Sequence, residues 1–435
     1  MNAYESEYSR KTPTSARLFE ESAKMHINGV SHNIRYFEPY PFVVKSSEGG
    51  SLIDVDGNRY TDYWMGHWSL IQGHAPKHIV RSLHDQLEDG WMYGTVNEQT
   101  IKLSRIISGA VPAAEKIRYT ASGTEAVMYA ARLARTHTKR DVIAKVDGGW
   151  HGYASDLLKS VNWPFNESES SGLVGADNIV SVPYNDLDAT VKILSGCKSR
   201  LAGIIVEPVL GGAGGIPASA EYLAGVQEFA HGCGALFILD EIVTGFRLRY
   251  GCTYESMPLE PDAITLGKII GGGMPIGAVC GADEIMAHAD ASSADRSYIG
   301  GGTFSANPAS MTAGRATLEH MRDNQSTYDR LSSMGERARS GVTEVFGDEA
   351  ADVTGTGSIF MVHFAAPGKR HAEVRNAEQA ALCDQDKLHQ YHLKMIAQDG
   401  IFMLPGKMGA ISSAHTDDDI ERLIAASEDF KRHHK

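Results

Sequence analysis

Lys268 stands in Thr265-Leu266-Gly267-Lys268-Ile269-Ile270, just ahead of the run Gly271-Gly272-Gly273. A lysine between glycine and apolar residues is a candidate for partial desolvation. Desolvation lowers its pKa and frees the neutral amine that a Schiff base requires. A solvated surface lysine is the plain alternative, and the glycine run counts against it because it lets backbone crowd the amine. Asp240 closes the apolar run Leu236-Phe237-Ile238-Leu239 and is followed by Glu241. A carboxylate at such a strand end points into a cleft or at a buried partner, where it can keep a ring nitrogen protonated. An N-cap or a metal ligand reads from the same residues. Ala121-Ser122-Gly123-Thr124-Glu125 joins a strand pattern to a helix pattern. Amides and hydroxyls at a helix start suit a phosphate, although an ordinary Ser or Thr cap explains them too. Gly300-Gly301-Gly302-Thr303 leads into Phe304-Ser305-Ala306-Asn307-Pro308. Thr303 is either a second phosphate hydroxyl or part of a plain turn.

These residues need elements to hold them. An amphipathic helix is expected over 14–28. Residues 51–64 read as a hairpin turning at Asp56-Gly57. From about 80 to 290, short apolar runs alternate with helical patterns. DVIAKVDG, NIVSVPYN, LAGIIVEPVL, GALFILDEIV and DAITLGK are the runs bounded by turn residues. Such alternation predicts an α/β fold with a mostly parallel sheet wrapped by helices. After about 315 the pattern changes to a long helix over 326–346, strands near 353–364 and a last helix from Asp417. That tail reads as a separate α+β unit. The glycine clusters fall mainly at strand ends and helix starts, where ligands bind in open α/β sheets.

Taken together, the four stretches supply a phosphate cup, a ring-nitrogen carboxylate, a Schiff-base lysine and a late phosphate hydroxyl. Those are the parts of a pyridoxal 5'-phosphate site, in which the cofactor provides the electron sink. In combination, IIVEPV, ILDEIVTGFR, TLGKIIGGGMPIGA and GGTFSANP are highly specific. On them the chain resembles the class III aminotransferases of fold type I, and most closely their glutamate-1-semialdehyde 2,1-aminomutase branch. The resemblance runs from about Ser15 to the final helix. It implies a large, mostly parallel-sheet cofactor domain over 66–315. A smaller α+β domain is built from 1–65 and 316–435.

The resemblance also assigns residues. Lys268 falls where the family's lysine holds the cofactor and moves the substrate proton, and Asp240 where its acid pairs with the pyridine nitrogen. Ser122, Gly123 and Thr124 match the phosphate cup. Thr303 matches a threonine that reaches the neighbouring subunit's cofactor, so a homodimer with shared sites is implied. Trp150, with His151 beside it, takes the place of the aromatic that stacks on the ring. Ile242, two residues after Asp240 on the same strand face, is preferred to Val243 for the opposite ring face. Arg35 in Gly29-Val30-Ser31-His32-Asn33-Ile34-Arg35 matches the arginine that meets a substrate carboxylate, for which its planar fork is suited. Trp68 matches a tryptophan near the substrate, with His67 replacing the usual serine. Residues 155–175 match a lid, with an unusual Asn162-Trp163-Pro164-Phe165-Asn166 insert.

Three departures bear on the substrate. Lys407, in the short Pro405-Gly406-Lys407-Met408-Gly409, stands where the branch carries an acid near the substrate's amino group. Gly212 stands where it carries an asparagine, and the lid sequence differs. The leading expectation is an aminomutase converting glutamate-1-semialdehyde to 5-aminolevulinate for tetrapyrrole biosynthesis. The alternative is an aminotransferase that uses a β- or aromatic amino acid and a separate keto-acid acceptor. Lys407 and the aromatic lid fit that alternative slightly better, and Lys407 is a candidate substrate contact. A non-catalytic ligand-binding homologue is the third reading, against which Lys268 and Asp240 both stand.

Composition narrows the remaining classes. The 435 residues carry a formal charge of −13, which argues against a nucleic-acid partner. Length alone allows about two or three domains. The five cysteines form no CxxC pair and read as buried thiols rather than a disulfide scaffold or a metal site. No metal is expected. Gly211-Gly212-Ala213-Gly214-Gly215 lacks the spacing of a dinucleotide loop. With no apolar leader and no apolar stretch of about 18 residues, a cytoplasmic protein without membrane contact is expected.

Overall fold

The computed structural model describes residues 3–165, 176–347, 351–369 and 373–433. The chain divides into two compact units. The larger comprises 77–329 and 374–381; the smaller comprises 1–76, 330–373 and 382–435. Relative to the expected boundaries, the first junction lies later in the chain. The segment 374–381 also returns to the larger unit, a detour that no composition change marks.

A seven-stranded sheet forms the larger unit. From edge to edge its strands are Lys116–Thr120, Gly277–Gly281, Ala263–Gly267, Leu236–Asp240, Leu201–Val206, Val142–Val146 and Ile179–Val182. Every pairing is parallel except the two made by Gly277–Gly281, which is antiparallel to both neighbours. That strand was not among the apolar runs picked out above, because Gly-Ala-Val-Cys-Gly is short and ends in glycines. The four strands from Leu236–Asp240 to Val142–Val146 and Ala263–Gly267 are buried along their whole length. Burial on both faces is why they read as continuous apolar runs rather than alternating ones. Helix Gly123–Thr138 buries Ala126, Val127, Ala130, Ala131, Leu133 and Ala134. These mostly small side chains let it lie close on the sheet. Because the strands run parallel, Thr120, Val146, Val206, Asp240 and Gly267 all end at one edge.

The smaller unit joins the two chain ends. The expected hairpin is present: Ser51–Asp54 pairs antiparallel with Arg59–Asp62, and Gly57 takes the positive φ of +89° that the turn requires. Ile401–Phe402 then adds in parallel, with Ile401 opposite Thr61. A three-stranded sheet is made by Ala351–Thr354, Ile359–Phe364 and Gly409–Ala410. The helices Ser326–Phe346 and Asp417–His433 lie where expected. The opening helix does not: two helices, Ala3–Lys11 and Pro13–Ser22, replace a single one over 14–28. Pro13 is favoured at a first helical position, and it starts a new helix there. None of the five cysteines is in a disulfide; Cys252 and Cys280 are buried, whereas Cys197, Cys233 and Cys383 are only half-buried. No helix among the described residues is long and apolar enough to cross a membrane.

An aromatic cluster holds the smaller unit. Phe42 stacks on Tyr60 at 4.4 Å and meets Phe402 edge-on at 4.9 Å, joining residues far apart in the chain. Phe42→Ala leaves a cavity among these rings. We expect a loss of about 3 kcal/mol in urea unfolding followed by circular dichroism.

Candidate active site

Asp240 is buried at the end of its strand, with 3% of its surface exposed. Its Oδ2 lies 2.7 Å from His151 Nδ1. A carboxylate can only accept, so Nδ1 carries the hydrogen. Its Oδ1 accepts from Thr265 Oγ1 at 2.9 Å and from the Ile242 amide at 3.2 Å. These donors come from a neighbouring strand, a loop and the turn after Asp240 itself, so the carboxylate has one orientation. His151 is also buried, and burial pulls its pKa down; Lys145 acts in the same direction, while Asp240 opposes them. The imidazole is therefore held neutral, with Nε2 buried and without a hydrogen-bond partner among the described residues.

Lys268 follows the last residue of the adjacent strand and opens a short turn, Lys268–Gly271. Its φ of +47° is in the left-handed region, which a side chain adopts only when its surroundings enforce it. Part of the side chain stays accessible, as an amine that meets a ligand must. The surroundings are still dense enough for burial to lower its pKa to about 8. Asp240 and Glu207 hold the value up, and Arg247 presses it down. An amine of this kind is about half neutral near pH 8.

Glu207 is the first residue beyond Val206 and is 3% exposed. Burial, then the charge of Asp240, raises its pKa to about 8, while the amides of Trp150 and Gly211 and the charge of Lys268 restrain the rise. Neither Glu207, Lys145 nor Thr265 was assigned a role from the sequence. For Glu207 the signal was available: it ends an apolar strand just as Asp240 does. Lys145 shows as the single charge inside the apolar run Val142-Ile143-Ala144-Lys145-Val146. Glu241, next to Asp240, turns away and binds Thr244, Thr253 and Tyr254, so it shapes the following loop.

The helix that starts at Gly123 brings its first-turn amides to the same sheet edge. Such amides have no partner inside a helix. A Cβ on Gly123 would come within 2.7 Å of Ile242 Cδ1, so only glycine lets backbone and Ile242 share this space. The Ser122 hydroxyl donates to Glu125 Oε2 at 3.0 Å, and the Ala121 amide donates to the same oxygen at 3.0 Å. Ser122 thus caps the helix here rather than presenting its hydroxyl outward. Thr124 Oγ1 accepts from the Tyr153 amide at 3.3 Å. Trp150 meets Tyr153 edge-on at 4.9 Å. Thr303 is exposed in the turn after Gly302.

The expected substrate contacts belong to the smaller unit. Trp68 is buried, and its indole N–H donates to Met408 O at 2.9 Å, so its loop and that of Lys407 are bound to each other. Met65, Gly66, His67 and Trp68 all have positive φ, from +45° to +64°: one turn of left-handed helix. Each non-glycine there costs roughly 1–2 kcal/mol, and such strain gathers at functional sites. Lys407 follows Gly406, whose amide donates to His392 Nδ1 at 3.0 Å. Burial lowers the Lys407 pKa, and among the described residues no acidic group counteracts it. Arg35 lies on an exposed turn, where its Nη1 donates to Ser31 Oγ at 2.7 Å. Of the expected lid, Trp163 and Phe165 touch edge-on at 5.4 Å. Asn166 to Gly175 lie outside the described residues.

The class-III aminotransferase family model matches residues 35–407. A glutamate-1-semialdehyde 2,1-aminomutase of Methanosphaera stadtmanae is 36% identical over 425 residues, 96% of this chain and 98% of that protein. An omega-transaminase structure from Sphaerobacter thermophilus aligns with a TM-score of 0.88 and 30% identity, over 96% of this chain and 97% of that one. A beta-phenylalanine aminotransferase from Variovorax paradoxus aligns with a TM-score of 0.88 and 27% identity, over 99% and 96%.

A depressed lysine pKa predicts two pH effects. In the apoenzyme, reductive labelling of Lys268 by a small aldehyde should rise through pH about 8, where exposed lysines still lag, as read by peptide mass spectrometry. Between about 8 and the ordinary lysine value the unfolded chain binds more protons than the folded one, so this group adds stability as pH rises across that window. Lys268→Met should remove that rise from the unfolding free energy.

Proposed function

The chain belongs to the class-III aminotransferase family, and from that premise we propose that it transfers amino groups with pyridoxal 5'-phosphate, as a glutamate-1-semialdehyde 2,1-aminomutase forming 5-aminolevulinate. The observation that carries the chemistry is the pairing of a lysine of lowered pKa with a fixed carboxylate at one sheet edge. The substrate follows from the aminomutase relative, to which similarity extends over nearly the whole chain. The cofactor suits the residues present. The first-turn amides at Gly123 and Thr124 would hold its phosphate, in a cradle that a Cβ at Gly123 would fill. Asp240 would partner its ring nitrogen, Ile242 and Trp150 would pack against the ring, and Lys268 would supply the amine that binds it.

When bound, the cofactor supplies an electron sink for the pair left as a carbon bearing the amino group loses its proton. The protein does the rest. Asp240, unable to turn away from His151 and Thr265, would keep the ring nitrogen cationic. Lys268, whose pKa is lowered to about 8, would take up and return the substrate's proton. Arg35 and Trp68 orient the substrate. In the net reaction one amino group is given to the aldehyde carbon and the original one is withdrawn, so the product is an isomer and no second substrate is consumed.

A second reading rests on Lys407. A partly enclosed ammonium with no acidic partner among the described residues favours a carboxylate-bearing amino acceptor. That supports an aminotransferase for a β- or aromatic amino acid with a keto-acid acceptor. In either case we propose a cytoplasmic homodimer. Trp91, Val96, Tyr298 and Phe304 of the larger unit are 62%, 83%, 78% and 64% exposed, and the Asn97–Ala306 hydrogen bond brings the segments of Val96 and Phe304 together. A second copy covering them would, as the family resemblance implies, receive Thr303 at its cofactor phosphate.

One assay divides the readings. Purified enzyme given glutamate-1-semialdehyde alone should form 5-aminolevulinate; a strict need for 2-oxoglutarate or pyruvate would establish the second reading instead. Asp240→Asn should lower kcat by about 10³-fold or more, because the ring nitrogen loses its charge partner. Sedimentation should give a dimer, and Phe304→Lys with Val96→Lys should shift it toward monomer.

A further inference from the structure

The peptide unit between Gly149 and Trp150 is gripped at both ends by buried ionisable side chains. Lys145, with none of its surface exposed, donates from Nζ to Gly149 O at 2.8 Å and also binds Lys159 O at 2.6 Å. Glu207, just past the end of the next strand of the sheet, accepts the Trp150 amide on Oε1 at 2.8 Å and the Gly211 amide on Oε2 at 3.1 Å. One residue further, His151 binds Asp240, on the strand after that. Three adjacent strands thus each send one titratable side chain to three successive residues of one loop.

The charges match the peptide dipole. The carbonyl oxygen, its negative end, faces the Lys145 amine, and the N–H, its positive end, faces an accepting oxygen of Glu207. Turning this peptide over would put the oxygen against Glu207 and the N–H against Lys145, and both contacts would be repulsive. The loop needs such a constraint. Gly148 and Gly149 bring no side chains of their own to anchor it, and Gly148 sits at a φ of +75° with no room for a Cβ beside Ala377. Burying charged groups is costly unless they are well paired, so their place at a loop implies a gain in definition rather than in stability.

We propose that Lys145 and Glu207 are positioning residues that lock the Gly149–Trp150 peptide, and through it set the indole of Trp150 and the imidazole of His151 for the cofactor ring. The link to the ring rests on the function proposed above; the lock itself does not. The two are tested separately.

In wild-type apoenzyme, amide hydrogen exchange resolved to single residues should show Trp150 protected about 10³-fold or more, although it lies outside helix and strand. Exchange of that amide at the rate of an unstructured loop overturns the lock, with no variant needed. Glu207→Gln keeps the shape but replaces one of the two accepting oxygens by a donor. It should speed Trp150 exchange by about tenfold or more and weaken apoenzyme binding of pyridoxal 5'-phosphate by a similar factor, with kcat falling more than KM rises. Lys145→Gln should act alike, and Lys145→Arg should restore part of the protection. Faster exchange with unchanged cofactor affinity would retain the lock and overturn its proposed service to the ring. Unchanged exchange in a folded Glu207→Gln variant would overturn the proposal as a whole.

Discussion

Ionisable groups packed into one dry sheet edge cannot set their charges independently, and the rest of the large unit is arranged around that constraint. Two unit charges about 4 Å apart interact by about 4 kcal/mol at an effective dielectric near 20, worth roughly three pKa units. Desolvation alone would drive Lys268 well down and Glu207 well up. For Lys268 the charges of Asp240 and then Glu207 limit the fall, and for Glu207 the amides of Trp150 and Gly211 and then Lys268 limit the rise, so each comes to rest at about 8, one from above and one from below. Asp240 contributes to both shifts, which makes it the group whose position matters most. Its fixed orientation depends on His151, Thr265 and the Ile242 amide, and hence on the exact strand ends that supply them.

The architecture answers to this need. Parallel strands deliver their final residues to one edge, so Asp240, Glu207 and Lys268 arrive on it from three strands without any long-range loop. Helix Gly123–Thr138 starts on the same edge and adds oriented amides, the natural complement of an anion. The antiparallel strand Gly277–Gly281 lies between Lys116–Thr120 and Ala263–Gly267, and so sets the spacing between the helix start and Lys268. In the smaller unit the comparable investment is conformational. The left-handed turn at Met65–Trp68 is held by Asp62, which accepts the Trp64 and Met65 amides, and by the indole bond from Trp68 to Met408 O. Strain held at so many points is consistent with Trp68 having to occupy one place.

Of the two departures, the one at Lys407 lies in the smaller unit, not in the larger one whose strand ends carry Lys268, Asp240 and Glu207. Gly212 lies against Trp150, where a Cβ would come within 3.2 Å of the Trp150 Cβ, so the change there bears on the same loop that Glu207 and Lys145 hold.

Local signals carried a large part of the outcome. The apolar runs ending at Val146, Val206, Asp240 and Gly267, the hairpin at Gly57 and the helices from Ser326 and Asp417 were legible because each is defined by pattern within a few residues. Lys268, Asp240 and the Gly123 helix start stood out for the same reason: each sits at a marked junction between elements. What the sequence could not convey was pairing across the chain. Glu207 and Lys145 look like a strand-end acid and an out-of-place lysine until the sheet order sets them on either side of one peptide. Pro13 and the glycine-bounded strand Gly277–Gly281 depend on neighbours as much as on their own residues. By itself, the sequence determined which chemical groups exist and where the chain turns, since those are local properties. Only the tertiary structure decided which charges share a low-dielectric space, because burial and distance, not residue type, set how strongly they act on one another.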